Sequence, residues 1–201
     1  MAGEPARVPF VGLTGGIAAG KSEALNAFER LGAATLSTDA VVHELLAADE
    51  VRDLLVEKFG PEIAPDGQVD RKKVAEQVFG DDDRREWLEG ILWPRVGKRI
   101  WDWRQELEGR TDPPRAAVVE VPLLFEAGME SGFDATIAVV ADESVREERA
   151  GARGHVGVAS RTARQLSQEE KSQRADYTVR NDGTLDELKT KLSEVLGNIE
   201  R

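Results

Sequence analysis

Residues 15–22 read Gly15-Gly16-Ile17-Ala18-Ala19-Gly20-Lys21-Ser22, the spacing G-x-x-x-x-G-K-S. Such a segment does its work only between a strand and a helix. The backbone N–H groups of the glycine-rich turn then point inward and cradle phosphate oxygens, and the helix adds the positive end of its dipole. Lys21 can reach the β and γ phosphates, and the Ser22 hydroxyl can bind Mg²⁺. Both flanks meet the demand. Phe10-Val11-Gly12-Leu13-Thr14 is a short apolar run suited to a buried strand, and Leu25, Phe28 and Leu31 recur at helical spacing beyond the loop. A chance match in a Gly/Ala-rich turn would not need these flanks.

The rest of the chain continues in the same style. Strands with few charges are expected at 8–14, 33–37, 116–121, 135–140 and 177–181, alternating with charged helical stretches. This alternation predicts an α/β fold with a parallel sheet. A helix over Leu185–Leu196 closes the chain. The stretch between the second and third strands is too long for a single crossover. Residues 39–59 and 70–108 read as helical, interrupted by Gly60-Pro61 and Pro65-Asp66-Gly67. They form a helical insertion in what is otherwise one domain of 201 residues. Trp87, Trp93, Trp101 and Trp103 all fall inside it. They could stack on a ligand base, but aromatics at helical spacing usually pack, so helix core is the favoured reading.

Charge limits the choice of partners. With 27 basic and 38 acidic residues the formal net charge is −11. Nucleic acid and anionic membrane surfaces are poor partners for such a chain. A phosphate ligand must be held by local donors and not by the overall field. The chain has no cysteine, which excludes disulfides, thiolate metal sites and a Cys nucleophile. Residues 1–8 lack a long apolar stretch, so neither a signal peptide nor a membrane span is expected, and the cytoplasm is the default location.

Three further groups carry chemistry. Asp39 follows the second strand, and in doubly wound sheets ligands sit beyond the carboxyl ends of strands. It could activate an acceptor hydroxyl or help hold Mg²⁺. Equally, it could cap a helix starting at Ala40, since Asp is a favoured cap. Glu120 closes the third strand, where a second Mg²⁺-associated carboxylate is common in phosphate-loop proteins; the alternative is a solvated strand end. Arg146, Arg149, Arg153, Arg161 and Arg164 crowd one stretch, with Gly151, Gly154 and Gly157 among them. The first three share a helix face. They suit a lid over transferring phosphates, since guanidinium offers a fixed fork of donors. The alternative is a solvated face paired with Glu143, Glu147 and Glu148.

Taken in order, these segments resemble the dephospho-CoA kinase family over nearly the whole chain. The matching residues are Gly12-Leu13-Thr14-Gly15-Gly16-Ile17 leading into Gly20-Lys21-Ser22, then Asp39 and His43, then Val121-Pro122-Leu123-Leu124-Phe125-Glu126. The distal set is Arg161, Gln165, Lys171, Ala175-Asp176-Tyr177 and Asn181-Asp182-Gly183. The resemblance implies a three-layer fold around a five-stranded parallel sheet, a helical acceptor-binding insertion over about 39–110, and a lid over about 146–165. It implies transfer of the ATP γ-phosphoryl to the ribose 3′-hydroxyl of dephospho-CoA, with Mg²⁺, in the last step of coenzyme A synthesis. It assigns Gly15 through Ser22 and Glu23 to the nucleotide phosphates, Lys21, Asp39 and Arg149 to catalysis, Ser22 and Glu120 to the metal, and Asn181 and Gly183 to the adenine. A monomer or small homo-oligomer is expected.

The sequence departs from the family pattern at four places. Ser37 stands where an acid is usual, Ala18-Ala19 where Gly-Ser is common, Glu23 where Thr is common, and Trp93 before Pro94 where His is usual. An acid at Glu23 sits in the first helical turn, where the dipole favours it. Other readings remain at this level. A kinase of the same fold could act on a nucleoside or nucleotide. A GTP-dependent switch would need an Asn-Lys-x-Asp guanine reader, and the chain offers only Thr190-Lys191-Leu192-Ser193. A silent nucleotide-binding module would not need Lys21, Ser22 and Asp39. The loop makes the first prediction. Lys21→Ala should fold normally by circular dichroism yet lose turnover, because charge stabilisation of this kind contributes several kcal/mol to transfer. Near-normal kcat in that variant would overturn the assignment.

Overall fold

The apolar runs become the strands of one sheet. The structure is a computed structural model that describes residues 7–152 and 165–201. Among them, β1 (Phe10–Gly15), β2 (Ala34–Ser37), β3 (Ala117–Glu120), β4 (Ala135–Val140) and β5 (Tyr177–Arg180) lie in the order β2-β3-β1-β4-β5. All four pairings are parallel. β1, β3 and β4 are buried at every position, which is why they read as near-continuous apolar runs. The described helices are α1 (Lys21–Arg30), α2 (Thr38–Ala47), α3 (Asp49–Phe59), α4 (Arg71–Val78), α5 (Asp82–Glu108), α6 (Glu143–Ala152), α7 (Gln168–Arg174) and α8 (Leu185–Ile199).

Two compact units emerge: Met1–Ser37 with Arg104–Arg201, and Thr38–Trp103. In the first, alternate strand residues face opposite layers. Val11 and Leu13 of β1, Val118 of β3 and Ile137 and Val139 of β4 share a core with Phe28 of α1 and with Leu188, Leu192 and Leu196 of α8. Those three leucines are spaced at i, i+4 and i+8, one stripe along α8. On the other face Phe10 stacks on Phe133 with centroids 4.8 Å apart, and α7 packs against β1 and β4. The sheet therefore lies between two helical layers. Both α7 and α8 open with a capping box, Ser167 with Glu170 and Thr184 with Glu187, which satisfies two otherwise orphaned N–H groups at each start.

The second unit has its own core of Leu46, Val51, Leu55, Phe59, Ile63, Val74 and Leu92. Trp87 meets Phe59 edge-on, with centroids 5.3 Å apart. Its helices are more broken than the sequence suggests. The expected 39–59 helix splits at Ala48, which is extended (φ −73°, ψ 136°). Asp49 and Glu50 then start α3 at the end where acids are favourable. The expected 70–108 helix splits at Phe79, also extended, followed by Gly80 at φ 75°. Asp81 accepts from the Arg84 N–H at 3.0 Å and starts α5 afresh. The unit also ends at Trp103, short of the expected boundary near 110. The reason is that the last turn of α5 belongs with the sheet: the Arg104 guanidinium lies 4.5 Å over the Phe10 ring and Leu107 is buried.

Two tryptophans contradict the core reading. Trp101 is 59% exposed and Trp93 37% exposed. Helical spacing alone did not reveal which face of α5 meets the core, because α5 carries apolar residues on more than one side. Among the described residues no helix is long and apolar enough to cross a membrane. The packing yields a paired prediction. Leu192→Ala should cost about 2–5 kcal/mol, whereas Trp101→Gln should stay within about 0.5 kcal/mol of wild type. Urea denaturation measures both, and equal losses would contradict the assigned core.

Candidate active site

The loop from Gly15 to Gly20 is shaped by contacts that admit no side chain. A Cβ on Gly15 would lie 2.2 Å from the Val139 carbonyl oxygen, so only glycine lets β1 stay paired with β4 while turning into the loop. A Cβ on Gly20 would lie 2.1 Å from Asn181 Nδ2, and Gly20 is at φ 97°. Ala18 takes φ 60° without being glycine, a conformation that costs an L residue roughly 1–2 kcal/mol. The Ala18-Ala19 departure therefore fits the loop in size but stores strain there. The loop closes on itself through Ala19 N–H to Gly16 O at 3.3 Å and opens α1 through Ala24 N–H to Gly20 O at 3.0 Å.

Lys21 folds back across this turn. Its ammonium donates to the carbonyls of Gly15 (3.1 Å) and Gly16 (3.0 Å). Ser22, next on α1, is exposed, and Glu23 is half-buried in the first turn. Asn181, just past β5, is buried and donates from Nδ2 to the Ala19 carbonyl at 2.9 Å. Its own carbonyl accepts from the Arg149 guanidinium at 3.0 Å. The same guanidinium lies 3.8 Å from the Cβ position of Gly20. Thus Arg149, Asn181 and the end of the loop meet, although they are far apart in sequence. Arg146 is on α6 with Arg149; Arg153, Arg161 and Arg164, and with them most of the expected lid, lie outside the described residues.

Charged groups brace Asn181 from both sides. Arg180 pairs with Asp142 and, at 3.1 Å, with Asp182, while the Asp142 N–H donates to Asp182 Oδ1 at 2.6 Å. Burial pushes the Asp182 carboxyl up, but the Asp142 N–H, Arg180 and Lys191 together outweigh it and hold the carboxyl below its usual range. The hydrogen bond to Asp182, followed by that to Asp142, raises the Arg180 guanidinium. Gly183 has a packing reason of its own: a Cβ there would lie 1.7 Å from Glu187 Oε2, the carboxylate of the α8 capping box.

Glu120 ends β3 in register with Leu13 on one side and Ser37 on the other. It is buried, at 7% exposure, so the solvated strand-end reading fails. Asp39 is exposed in the first turn of α2. That helix already begins at Thr38, so Asp39 is inside it and does not precede it as a cap would. The β2-to-α2 connection is shorter than the sequence suggests.

The dephospho-CoA kinase family model matches residues 9–187. The chain belongs to the dephospho-CoA kinase family. The chain is 37% identical over 188 residues to the dephospho-CoA kinase of Symbiobacterium thermophilum, covering 91% of this chain and 78% of that protein. The fold matches the crystal structure of TT1252 from Thermus thermophilus with TM-score 0.79 and 31% identity, covering 95% of this chain and 98% of that one. It also matches a dephospho-CoA kinase from Campylobacter jejuni with TM-score 0.63 and 25% identity, covering 94% and 96%.

In this family member the sequence reading missed Gln168 beside the loop, and it named Lys171 and Glu126 only as matching positions, without a role. Gln168 holds the Ala141 backbone at both ends, accepting from its N–H at 3.0 Å and donating to its carbonyl at 2.9 Å. Lys171, fully buried, forms an ion pair at 3.0 Å with the largely buried Glu126. The capping boxes S-x-x-E and T-x-x-E could have located α7 and α8 from sequence; the tertiary bonds carry no local signal. The Asn181 bond sets the prediction for this site. Asn181→Ala leaves the Ala19 carbonyl without its donor, at a cost of about 1–3 kcal/mol. ATP affinity measured by calorimetry should fall about tenfold or more. Unchanged affinity would mean the loop keeps its shape without the clasp.

Proposed function

We propose that the chain transfers the γ-phosphoryl of ATP to the ribose 3′-hydroxyl of dephospho-CoA, completing coenzyme A. The observation that carries this reading is the loop itself, pre-shaped by Gly15, Gly20 and Asn181, in a chain matched by the family over residues 9–187. Phosphoryl transfer asks little covalent chemistry of a protein, so catalysis is positioning plus charge neutralisation. The Gly15–Ser22 backbone binds the nucleotide phosphates. Lys21, now resting on the Gly15 and Gly16 carbonyls, follows the charge that builds on the transferring group. Arg149, anchored at Asn181 beside the loop end, adds a second cation. Asp39 assists the acceptor hydroxyl. Glu23, Asn181 and Gly183 complete the nucleotide site, and the helical insertion is the acceptor-binding region that the resemblance implies.

Mg²⁺ fits the donors available. The Ser22 hydroxyl and the Glu120 carboxylate are hard oxygen ligands. Among the described residues no three or more His, Cys, Asp or Glu gather as a dedicated cage, which an ion arriving with substrate phosphates does not need. When bound, the ion neutralises phosphate charge. Ser22 and Glu120 would hold it.

The test is the mass of the product after incubation with MgATP and dephospho-CoA. One added phosphoryl group on the acceptor is expected; phosphorylation only of nucleosides or nucleotides would favour the other kinase reading. Asp39→Asn refines the test. With Asp39 inside α2, the variant should melt near wild type, bind ATP normally and lose about 10²-fold or more in kcat. Retained kcat would move the acid role away from Asp39.

A further inference from the structure

Lys171 is completely buried in α7, and the reaction described above makes no use of it. Its ammonium donates to the Pro122 carbonyl at 2.6 Å and lies 3.0 Å from Glu126 Oε1 and 3.5 Å from Thr14 Oγ1. The Thr14 hydroxyl donates to the same Pro122 carbonyl at 3.2 Å. The Leu166 N–H donates to Glu126 Oε1 at 2.9 Å, while Glu126 Oε2 is buried with no hydrogen-bond partner among the described residues.

Stability does not explain such a pair. Two buried charges repay their desolvation only with good geometry and further hydrogen bonds, and apolar residues of similar volume often serve as well or better. One carboxylate oxygen here has no hydrogen-bond partner among the described residues. What the pair does achieve is placement. Thr14 directly precedes Gly15 and Gly16, whose carbonyls hold Lys21. Pro122 follows Glu120 at the end of β3 after one intervening residue. Gln168, one turn earlier on α7, lies against Gly16, where a Cβ would come within 2.8 Å of its Cγ. One short helix thus holds the root of the phosphate loop and the exit of β3 at once.

We propose that Lys171 is a positioning residue for phosphoryl transfer: its ammonium, neutralised by Glu126, ties the Pro122 carbonyl to the Thr14 hydroxyl and so fixes Lys21 and Glu120 relative to each other. The proposal rests on the reading of this site as a phosphotransferase. A displacement of about 1 Å in such a site can cost about 10²-fold in rate.

The experiment compares wild type with Lys171→Met, with the double variant Lys171→Met/Glu126→Gln, and with Lys171→Gln/Glu126→Gln. Melting temperature, kcat and the KM for ATP are measured with MgATP and dephospho-CoA. Absence of wild-type turnover on this acceptor would count against the function and not against Lys171; the ratios are then read with whichever acceptor wild type does use. Lys171→Met should lower both melting temperature and kcat, since it leaves a buried carboxylate alone. The Met/Gln double should regain melting temperature, because no charge remains unpaired, yet keep a kcat about tenfold or more below wild type with a smaller change in KM for ATP. The Gln/Gln double has the same charge and restores an amide donor toward Pro122; it should recover several-fold of the lost kcat. Equal kcat in the two doubles, or wild-type kcat in the Met/Gln double, would overturn the proposal. So would failure of both doubles to fold, which would make the pair a folding requirement only.

Discussion

Backbone meets backbone at the root of the phosphate loop, and much else follows from that approach. Val139 sits across from Gly15 in the β1–β4 ladder, with its carbonyl where a Gly15 side chain would be. β1 can therefore remain in the sheet until the moment it turns. The loop inherits the rigidity of two fully buried central strands, and a site built on such elements is more precise than one on a free loop. Gly20 repeats the device at the other end, giving its side-chain space to Asn181. Between the two glycines Ala18 is held in a left-handed conformation that it would not choose alone. Strain of this size persists only where the surroundings over-determine the backbone, which is what the two clamps do.

The same logic explains why the cations around the loop come from distant elements. Lys21 belongs to the loop, Arg149 to α6 and Lys171 to α7, and each is tied to a backbone carbonyl: Gly15 and Gly16, Asn181, and Pro122. Carbonyls of the sheet's exit strands hold these side chains in place before any phosphate arrives. Each cation is thereby kept close to the loop root, and Lys21 has only a short way to go from these carbonyls to a phosphate beside them.

Legibility in the sequence followed the range of the forces involved. The strands were readable because parallel, doubly covered strands must be apolar throughout, as Ala135–Val140 is. The loop was readable because its spacing is dictated by phosphate geometry. The helix break at Ala48 was not readable, since alanine is no breaker, whereas Gly80-Asp81 after Phe79 was a local signal that the periodicity hid; the new starts are set by acids at Asp49 and Asp81. The start of α2 at Thr38, ahead of the expected Ala40, was not readable either, and it removes the cap reading of Asp39 while leaving its other reading open. Trp93 and Trp101 misled because helical spacing says that a face exists, not that something covers it; Trp87 packs as expected. Least legible were the bonds from Asn181 to Ala19 and from Lys171 to Pro122, which join residues 162 and 49 positions apart. Only the resemblance of the distal segment to a known family singled out Asn181 and Lys171, and it did so without the reason.

The acidity of the chain fits this design. A net charge of −11 repels a polyanionic nucleotide at long range, so the overall field cannot be what gathers the substrate. At physiological ionic strength that field fades over about 8 Å. On the proposed reading, the ligand inside this distance meets the N–H groups of the loop, the start of α1 and the guanidinium of Arg149. Affinity is thereby concentrated in a short-range, geometry-dependent contact, with little contribution from the general surface. Charged molecules that do not fit the loop gain nothing from proximity. On that reading, discrimination among phosphate-bearing ligands falls to the shape of the loop.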